Sequence, residues 1–260
     1  MTTSNYTPAQ IAGMSTSDLL ALSTGIIQGF TSTQLAALSA AQAKALTTDE
    51  MSALSTANVV GLSTAAVAAL SSDQVAALAT AAVARLGSAQ IGALSTAAIG
   101  GLSAAEVAAQ IGYLKPAQIV AVGTDAISGL STAQVTALST ATVAALTTTQ
   151  IAEGLTTAQL AVLSSTQLAA LSFSQAKALT TDEMSALTTA NVVGLTAVAV
   201  AALSSDQVAA LSTAAWGKLG SAQIRYYGAN AKKSAFYRSL NISIFRLADF
   251  RLASAALHNG

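Results

Sequence analysis

The 260-residue chain has no cysteine, one histidine and two prolines, and only 8% of its residues are charged. Without cysteine it forms neither a disulfide framework nor a thiolate site, and the lone His258 cannot supply the several ligands of a metal cluster. The longest apolar runs, such as residues 197–203, are too short to span a bilayer. Residues 1–6 contain no basic region and no apolar run, so we expect no classical signal peptide.

What the sequence contains is a repeat of eight residues, here called an octad, with near-copies from Thr7 to Tyr227. The octad 131–138 reads STAQVTAL, and its places are numbered one to eight. Place one is Ser or Thr in 22 of 27 copies, place four is Gln or Glu in 16, and place eight is almost always Leu. Ser/Thr followed three residues later by Gln/Glu is the capping box of a helix N-terminus. Each octad is therefore predicted to be one very short helix, with caps such as Ser131 with Gln134 and Ser71 with Gln74.

The prolines and the charges support the same helix boundaries. Pro8 and Pro116 both fall at place two, the first helical position, where a missing N–H costs nothing. Nine of the eleven acids fall at places three or four, and four of the five bases before the tail fall at places six or seven. A helix dipole favours acids in the first turn and bases in the last. A strand repeat gives no reason for this polarity.

A helix of six or seven residues is not stable alone in water, so its Val and Leu side chains must pack on neighbouring octads. The pattern predicts an all-α solenoid in which two octads, 16 residues, form one coil. The Val and Leu of places five and eight face inward, and Ala at places six and seven allows close approach. A β-solenoid is the alternative fold.

Three segments are predicted along the chain. Residues 1–6 are a lead-in, residues 7–227 are the solenoid with register breaks near 108–113 and 152–154, and residues 228–260 form a basic, aromatic tail. The array has itself been duplicated, because residues 42–91 match residues 175–224 at 42 of 50 positions.

The tail has three interpretations. It is a helical cap that closes the end of the array, as repeat proteins need, or a basic amphipathic helix that docks on a membrane or another anionic partner. The third interpretation is a poorly ordered segment produced by a shifted reading frame. The residues expected to contact an anionic partner are Lys232, Lys233, Arg238, Arg246 and Arg251.

No group of residues indicates catalysis. The adjacent carboxylates Asp49 and Glu50, and their copies Asp182 and Glu183, do not converge on a helix, and capping and dipole roles account for them. The many Ser and Thr residues have no base nearby to activate them. We therefore expect no enzyme, no metal, no other cofactor and no bound nucleic acid.

Two resemblances follow from particular stretches. Residues 6–11 and 114–122, YTPAQI and LKPAQIVAV, look like the first helix of transcription-activator-like effector repeats, which implies DNA binding. The longer period and base-reading loop of that family are missing, and DNA repels the acidic array. The octads from Thr7 to Leu219 resemble the octapeptide arrays of large repetitive proteobacterial proteins. That resemblance implies a location outside the cell or on its surface.

The leading hypothesis is a structural or interaction scaffold, acting as a spacer, in adhesion or in end-to-end self-association with protein partners. The alternative is a binder of a repetitive surface, such as ice or polysaccharide, through the Ser/Thr/Ala face. DNA binding is a third hypothesis, which the acidic array disfavours.

Overall fold

A computed structural model describes residues 5–230 of the chain. Within this range all regular structure is helical and there is no strand, so the predicted all-α solenoid is confirmed and the β-solenoid alternative is wrong. The structure divides into two compact units: the first ends at Leu130 and the second begins at Ser131.

The first unit consists of short α-helices, one for almost every octad, and two 3₁₀ helices. The α-helices are Pro8–Gly13, Thr16–Leu20, Thr24–Gln28, Ser32–Ala36, Ala40–Ala45, Thr48–Ser52, Thr64–Ala68, Ser72–Ala77, Thr80–Val83, Ser88–Ile91, Thr96–Ile99, Ala104–Gln110, Pro116–Ile119 and Thr124–Ser128. The 3₁₀ helices are Val59–Gly61 and Ile111–Tyr113.

The second unit continues the pattern with one π-helix, Gln150–Gly154, and one 3₁₀ helix, Val192–Gly194. Its α-helices are Thr132–Ala137, Thr140–Ala145, Thr157–Val162, Ser165–Ala169, Phe173–Ala178, Thr181–Ser185, Ala197–Ala202, Ser205–Ala210, Thr213–Trp216 and Ser221–Asn230. The two 3₁₀ helices with the sequence VVG occupy matching positions in the duplicated segments.

Two extended residues form the corner between successive helices. Leu138, at place eight, has φ −62° and ψ 137°, and Ser139, at the next place one, has φ −67° and ψ 153°. The helix closes before this corner with a hydrogen bond from the Leu138 N–H to the Val135 carbonyl (3.2 Å). No described residue has a positive φ. The corners therefore need no glycine, and any residue type fits their backbone.

The core of each unit is built from places four, five and eight. In the octad 31–38, Gln34, Leu35 and Leu38 are buried, whereas places one, three and six are exposed. The predicted inward positions of places five and eight are confirmed. Place four is buried as well, which the capping-box argument did not anticipate, and it brings a polar side chain into the core of nearly every coil.

The prediction of two octads per coil is wrong. Helices that pack against one another lie three octads apart, for example Ala40–Ala45 on Thr64–Ala68. Hydrogen bonds reach further back: Gln42 Nε2 donates to the Ile11 carbonyl, 31 residues earlier, at 2.7 Å. One coil therefore takes between three and four octads. Because helices three octads apart pack on each other, each two-residue corner redirects the chain by less than a reversal, and more than two helices are needed to complete a coil.

The two register breaks are absorbed inside helices. In residues 103–114 the helix Ala104–Gln110 runs into the 3₁₀ helix Ile111–Tyr113, and Val107, Ile111 and Leu114 are all buried. In the nine-residue octad 147–155 the extra residue produces the π-helix, whose closing hydrogen bond runs from the Leu155 N–H to the Gln150 carbonyl (3.0 Å). A π-helix of one turn is the usual way in which a helix accommodates a single inserted residue.

Candidate interaction surface

The predicted cap residues lie at the helix N-termini. Ser131 Oγ accepts a hydrogen bond from the Gln134 N–H at 3.3 Å, and Gln134 Oε1 accepts one from the Ser131 N–H at 2.7 Å. Ser71 and Gln74 repeat this geometry at 3.2 and 2.9 Å. Pro8 and Pro116 are the first residues of their helices. These side chains set where each helix begins.

Removal of one cap should have a modest and local effect. Ser71→Ala is expected to lower the free energy of unfolding by about 1 kcal/mol, because the Gln74 N–H loses its acceptor. The reciprocal variant is Ala79→Ser, since Ala79 is an N-cap without a side-chain hydrogen bond. It should raise the free energy by about 0.5–1 kcal/mol. Urea unfolding followed by circular dichroism measures both, and equal effects of the same sign would contradict the capping role.

The Gln side chain at place four makes a second contact that its capping role does not require. While Gln74 Oε1 caps its own helix, Gln74 Nε2 donates to the carbonyls of Ala43 (2.9 Å) and Leu46 (2.7 Å) in the preceding coil. Side chains whose amide nitrogen donates to main-chain carbonyls of the preceding coil are called bridging amides here. They include Gln34, Gln42, Asn58, Gln74, Gln90, Gln110, Gln118, Gln167, Gln175, Asn191, Gln207 and Gln223.

The bridging amides add a donor to carbonyls at the C-terminal ends of the short helices. A place-five carbonyl such as that of Ala43 already accepts from the Leu46 N–H at 3.3 Å, so the amide is its second donor. The place-eight carbonyl of Leu46 accepts from the amide itself. The last carbonyls of any α-helix lack an intrahelical donor, and in helices of four to six residues these carbonyls are a large share of the total. A single amide therefore binds two helix ends. Its oxygen accepts from the N-cap N–H of its own helix, and its nitrogen donates to carbonyls at the C-terminus of a helix in the preceding coil. The inserted turn at 103–114 supplies Gln110, which donates to the Val83 carbonyl at 3.1 Å.

The sequence contains a signal for this contact that the capping argument does not use. Among the 16 copies with Gln or Glu at place four, 13 have Gln and three have Glu. A capping box accepts either residue, and the helix dipole would favour Glu in the first turn. Only Gln carries an amide donor. The excess of Gln therefore indicates that the far end of this side chain must donate.

Glycine at place seven marks the closest approaches between coils. A Cβ on Gly61 would lie 2.0 Å from the Ser32 carbonyl oxygen, and one on Gly194 would lie 2.0 Å from that of Ser165. Gly101 is equally close to Ser72, at 2.1 Å. In these three octads the main chain rests directly on the octad three before it, so a side chain at place seven cannot be accommodated without a shift of the backbone.

The outer surface left by this packing is formed by places one, two, three and six. Its residues are mostly Ser, Thr and Ala, and place one uses its hydroxyl oxygen as a cap acceptor in most copies. The larger apolar side chains that are exposed include Tyr113, Phe173 and Val198. Trp216 is buried, and its ring centre lies 6.1 Å from that of Tyr227 in an edge-to-face arrangement.

Within residues 5–230 no group of three or more His, Asp or Glu residues is placed to hold a metal ion. Over the same range no helix combines the length and the apolar character that crossing a membrane requires. The five basic residues proposed to contact a partner, Lys232, Lys233, Arg238, Arg246 and Arg251, lie outside the described residues.

Short capped helices that pack repeatedly on the helices about three octads away define an α-solenoid repeat protein. The ALTTAQ repeat, a known repeat family, matches the chain over residues 11–48, 45–80, 83–124, 108–148 and 178–213. These segments cover more than half of the sequence, and the chain belongs to this family. The predicted repeat array is thereby confirmed. No curated protein and no solved structure matches the chain.

Proposed function

We propose that this repeat protein is a non-enzymatic scaffold that acts through the regular surface of its array, as a spacer and by self-association. One observation carries the proposal: the polar side chains of the octad are used within the fold. Place-one hydroxyls cap helices and place-four amides bridge coils, as Ser71 and Gln74 do. The exposed places carry small, mostly uncharged residues, which do not converge on a substrate but do repeat.

The first octads supply a face for self-association. In later coils most place-four side chains are buried, whereas Gln10 and Asp18 are exposed at the same place. Met14 and Leu22, at place eight, are half-buried, whereas the later octads bury this place, with Leu138 as the exception. This face of residues 7–22 has the chemistry of the surface by which one coil stacks on another. We propose that a coil of a second copy stacks on it.

The test is the dependence of molecular mass on concentration, measured by light scattering after size-exclusion chromatography. The full chain should form larger species as its concentration rises. Met14→Lys should weaken association by about tenfold, which corresponds to about 1.4 kcal/mol for placing a charge in an apolar contact. Ala9→Lys is the matched control, because Ala9 is an exposed place-three residue of the same octad. A monomer at all concentrations, or equal effects of the two variants, would reject the stacking.

The second candidate is recognition of a repetitive surface such as ice or polysaccharide. The observation that favours it is the regular exposure of Ser and Thr at places one and two along the array. Thermal hysteresis or binding to an insoluble polysaccharide by the monomeric protein would support this candidate. Because most place-one hydroxyl oxygens already accept a cap hydrogen bond, their capacity for an external ligand is reduced, and we rank this candidate second.

A further inference from the structure

Glu183 occupies the place of a bridging amide although a carboxylate has no donor. The bridging amides of the two neighbouring octads show which part of the preceding coil Glu183 faces. Gln175, one octad earlier, donates to the Leu146 carbonyl at 2.7 Å, and Asn191, one octad later, donates to the Leu160 carbonyl at 3.1 Å. Between these two acceptors lies the octad 147–155. The register therefore places the Glu183 side chain over this octad, which contains the π-helix.

The two carboxylate oxygens of Glu183 have different surroundings. Oε2 caps its own helix by accepting from the Thr180 N–H at 2.7 Å and from the Thr180 hydroxyl at 2.9 Å. Oε1 is buried and has no hydrogen-bond partner, and the residue is only 3% exposed. At the corresponding position the neighbouring amides carry an N–H that faces main-chain carbonyls. By the register, Glu183 Oε1 faces the main-chain carbonyls of residues 147–155. A carboxylate oxygen and a carbonyl oxygen are both acceptors, so neither can donate a hydrogen bond to the other, which is costly in a buried site.

The charged groups around Glu183 are mostly acidic. Its own helix, Thr181–Ser185, carries Asp182. The helices packed against this helix are Thr157–Val162, which has no ionisable residue, and Ser205–Ala210, which has Asp206. The octad beneath carries Glu153. The preceding octad carries Lys177, which is exposed. Burial raises the pKa of the Glu183 carboxyl above its ordinary value of 4.5, the hydrogen bonds from Thr180 oppose this rise, and the charge of Asp182 adds to it.

We propose that Glu183 is a proton-dependent contact between two coils. When Oε1 is protonated, its O–H donates to a main-chain carbonyl of residues 147–155, as a bridging amide does elsewhere in the array. When the proton is lost, this hydrogen bond is lost with it and the carboxylate faces the carbonyls. The coil then opens locally at the π-helical octad. This contact makes the packing between two coils of the second unit depend on pH, independently of whether the chain self-associates.

The direction of the pH effect follows from linkage. Because the pKa of Glu183 is higher in the folded than in the unfolded chain, its contribution to stability is fully present below about pH 4.5. As the pH rises from there through the folded-state pKa, the unfolded chain gives up the proton first, and the free energy of unfolding falls. Above the folded-state pKa the contribution is gone. Glu183→Gln should remove this dependence, because the amide donates at every pH.

Glu50 provides a matched control. It lies at place four of the octad TTDEMSAL, which is identical to the octad of Glu183. By the same register it stands over residues 15–22, because Gln42 donates to the Met14 carbonyl and Asn58 to the Phe30 carbonyl. It therefore faces an ordinary α-helical octad in the first unit. Glu50→Gln changes the same charge in the same local sequence, away from the π-helix.

The experiment is amide hydrogen exchange of residues 147–155 between about pH 4.5 and pH 8, corrected for the intrinsic exchange rate, in the wild-type chain and both variants. Protection should fall about tenfold per unit of pKa difference in the wild type and in Glu50→Gln, and should stay constant in Glu183→Gln. Identical profiles in the wild type and Glu183→Gln would overturn the proposal. So would an ordinary pKa for Glu183 measured directly by carbon NMR of the folded wild-type chain, a result that does not depend on any variant.

Discussion

Gly61→Ala is expected to lower the free energy of unfolding by about 3 kcal/mol, although alanine is the commonest residue at place seven. The added Cβ would lie 2.0 Å from the carbonyl oxygen of Ser32 and 2.6 Å from its carbonyl carbon. Both are main-chain atoms of a packed helix, so neither can turn aside as the tip of a side chain could. The octad 55–62 must move outward, and the contacts that it makes with the preceding coil must stretch.

Gly13→Ala is the matched control for this effect. Gly13 is also at place seven, but a Cβ there has no atom within 4 Å, and its φ is negative. Alanine should therefore raise the free energy of unfolding by about 0.5 kcal/mol, because it restricts the unfolded chain without strain in the folded one. Urea unfolding measures the change in the free energy of unfolding for each variant. The two changes should have opposite signs if steric contact at place seven is the cause, and similar values if it is not.

Asn58 lies in the same octad as Gly61 and makes a bridging contact that suits the close approach there. Its side chain is one methylene shorter than glutamine, yet Nδ2 still donates to the carbonyls of Phe30 (3.1 Å) and Gln28 (3.3 Å). A shorter bridging amide requires a shorter distance between coils, and glycine at place seven permits it. The pair recurs as Asn191 and Gly194 in the duplicated segment. The double variant Asn58→Gln/Gly61→Ala should therefore lose about 1 kcal/mol less than the sum of the single losses. Strict additivity would argue against the coupling.

Gln74→Glu is expected to cost about 3 kcal/mol at pH 7, although it changes neither the size nor the local cap of the side chain. Gln74 is 4% exposed, and its Nε2 donates to the carbonyls of Ala43 and Leu46. Glutamate keeps the oxygen that caps the Ser71 N–H but replaces the donor with an acceptor. Two buried hydrogen bonds are lost, and a charge is placed against two carbonyls.

The control for Gln74→Glu is Gln10→Glu. Gln10 is exposed at the same place of the first octad, where its Oε1 caps the Thr7 N–H at 2.8 Å. Glutamate there retains the cap and gains from the helix dipole, so the change should stay within about 0.5 kcal/mol. The loss in Gln74→Glu should shrink toward about pH 4, where a protonated carboxyl can donate. Equal losses at both sites would mean that the bridging amide contributes little.

The sequence was sufficient for everything that depends on neighbours within one octad. Ser71 and Gln74 are three residues apart, so their capping box is visible as a spacing, and the prolines at place two mark the same helix start. The burial of places five and eight follows from the same short period. The identity of the helical repeat and the boundaries of its helices were local inferences of this kind.

The size of the coil and the role of the place-four amide were decided by the tertiary structure. The bridging amide of Gln74 joins residues 28 and 31 positions apart. Which carbonyl such an amide meets depends on the angle at each two-residue corner, summed over three to four helices. A small error in that angle changes the partner octad, and no spacing within eight residues encodes it. The same accumulation of angles brings Gly61 onto Ser32 and sets Glu183 over the π-helical octad. The octad determines where each helix begins and ends. The packing of helices three octads apart determines the size of the coil, because the distances between side chains and the carbonyls of the preceding coil exist only once the coil is assembled.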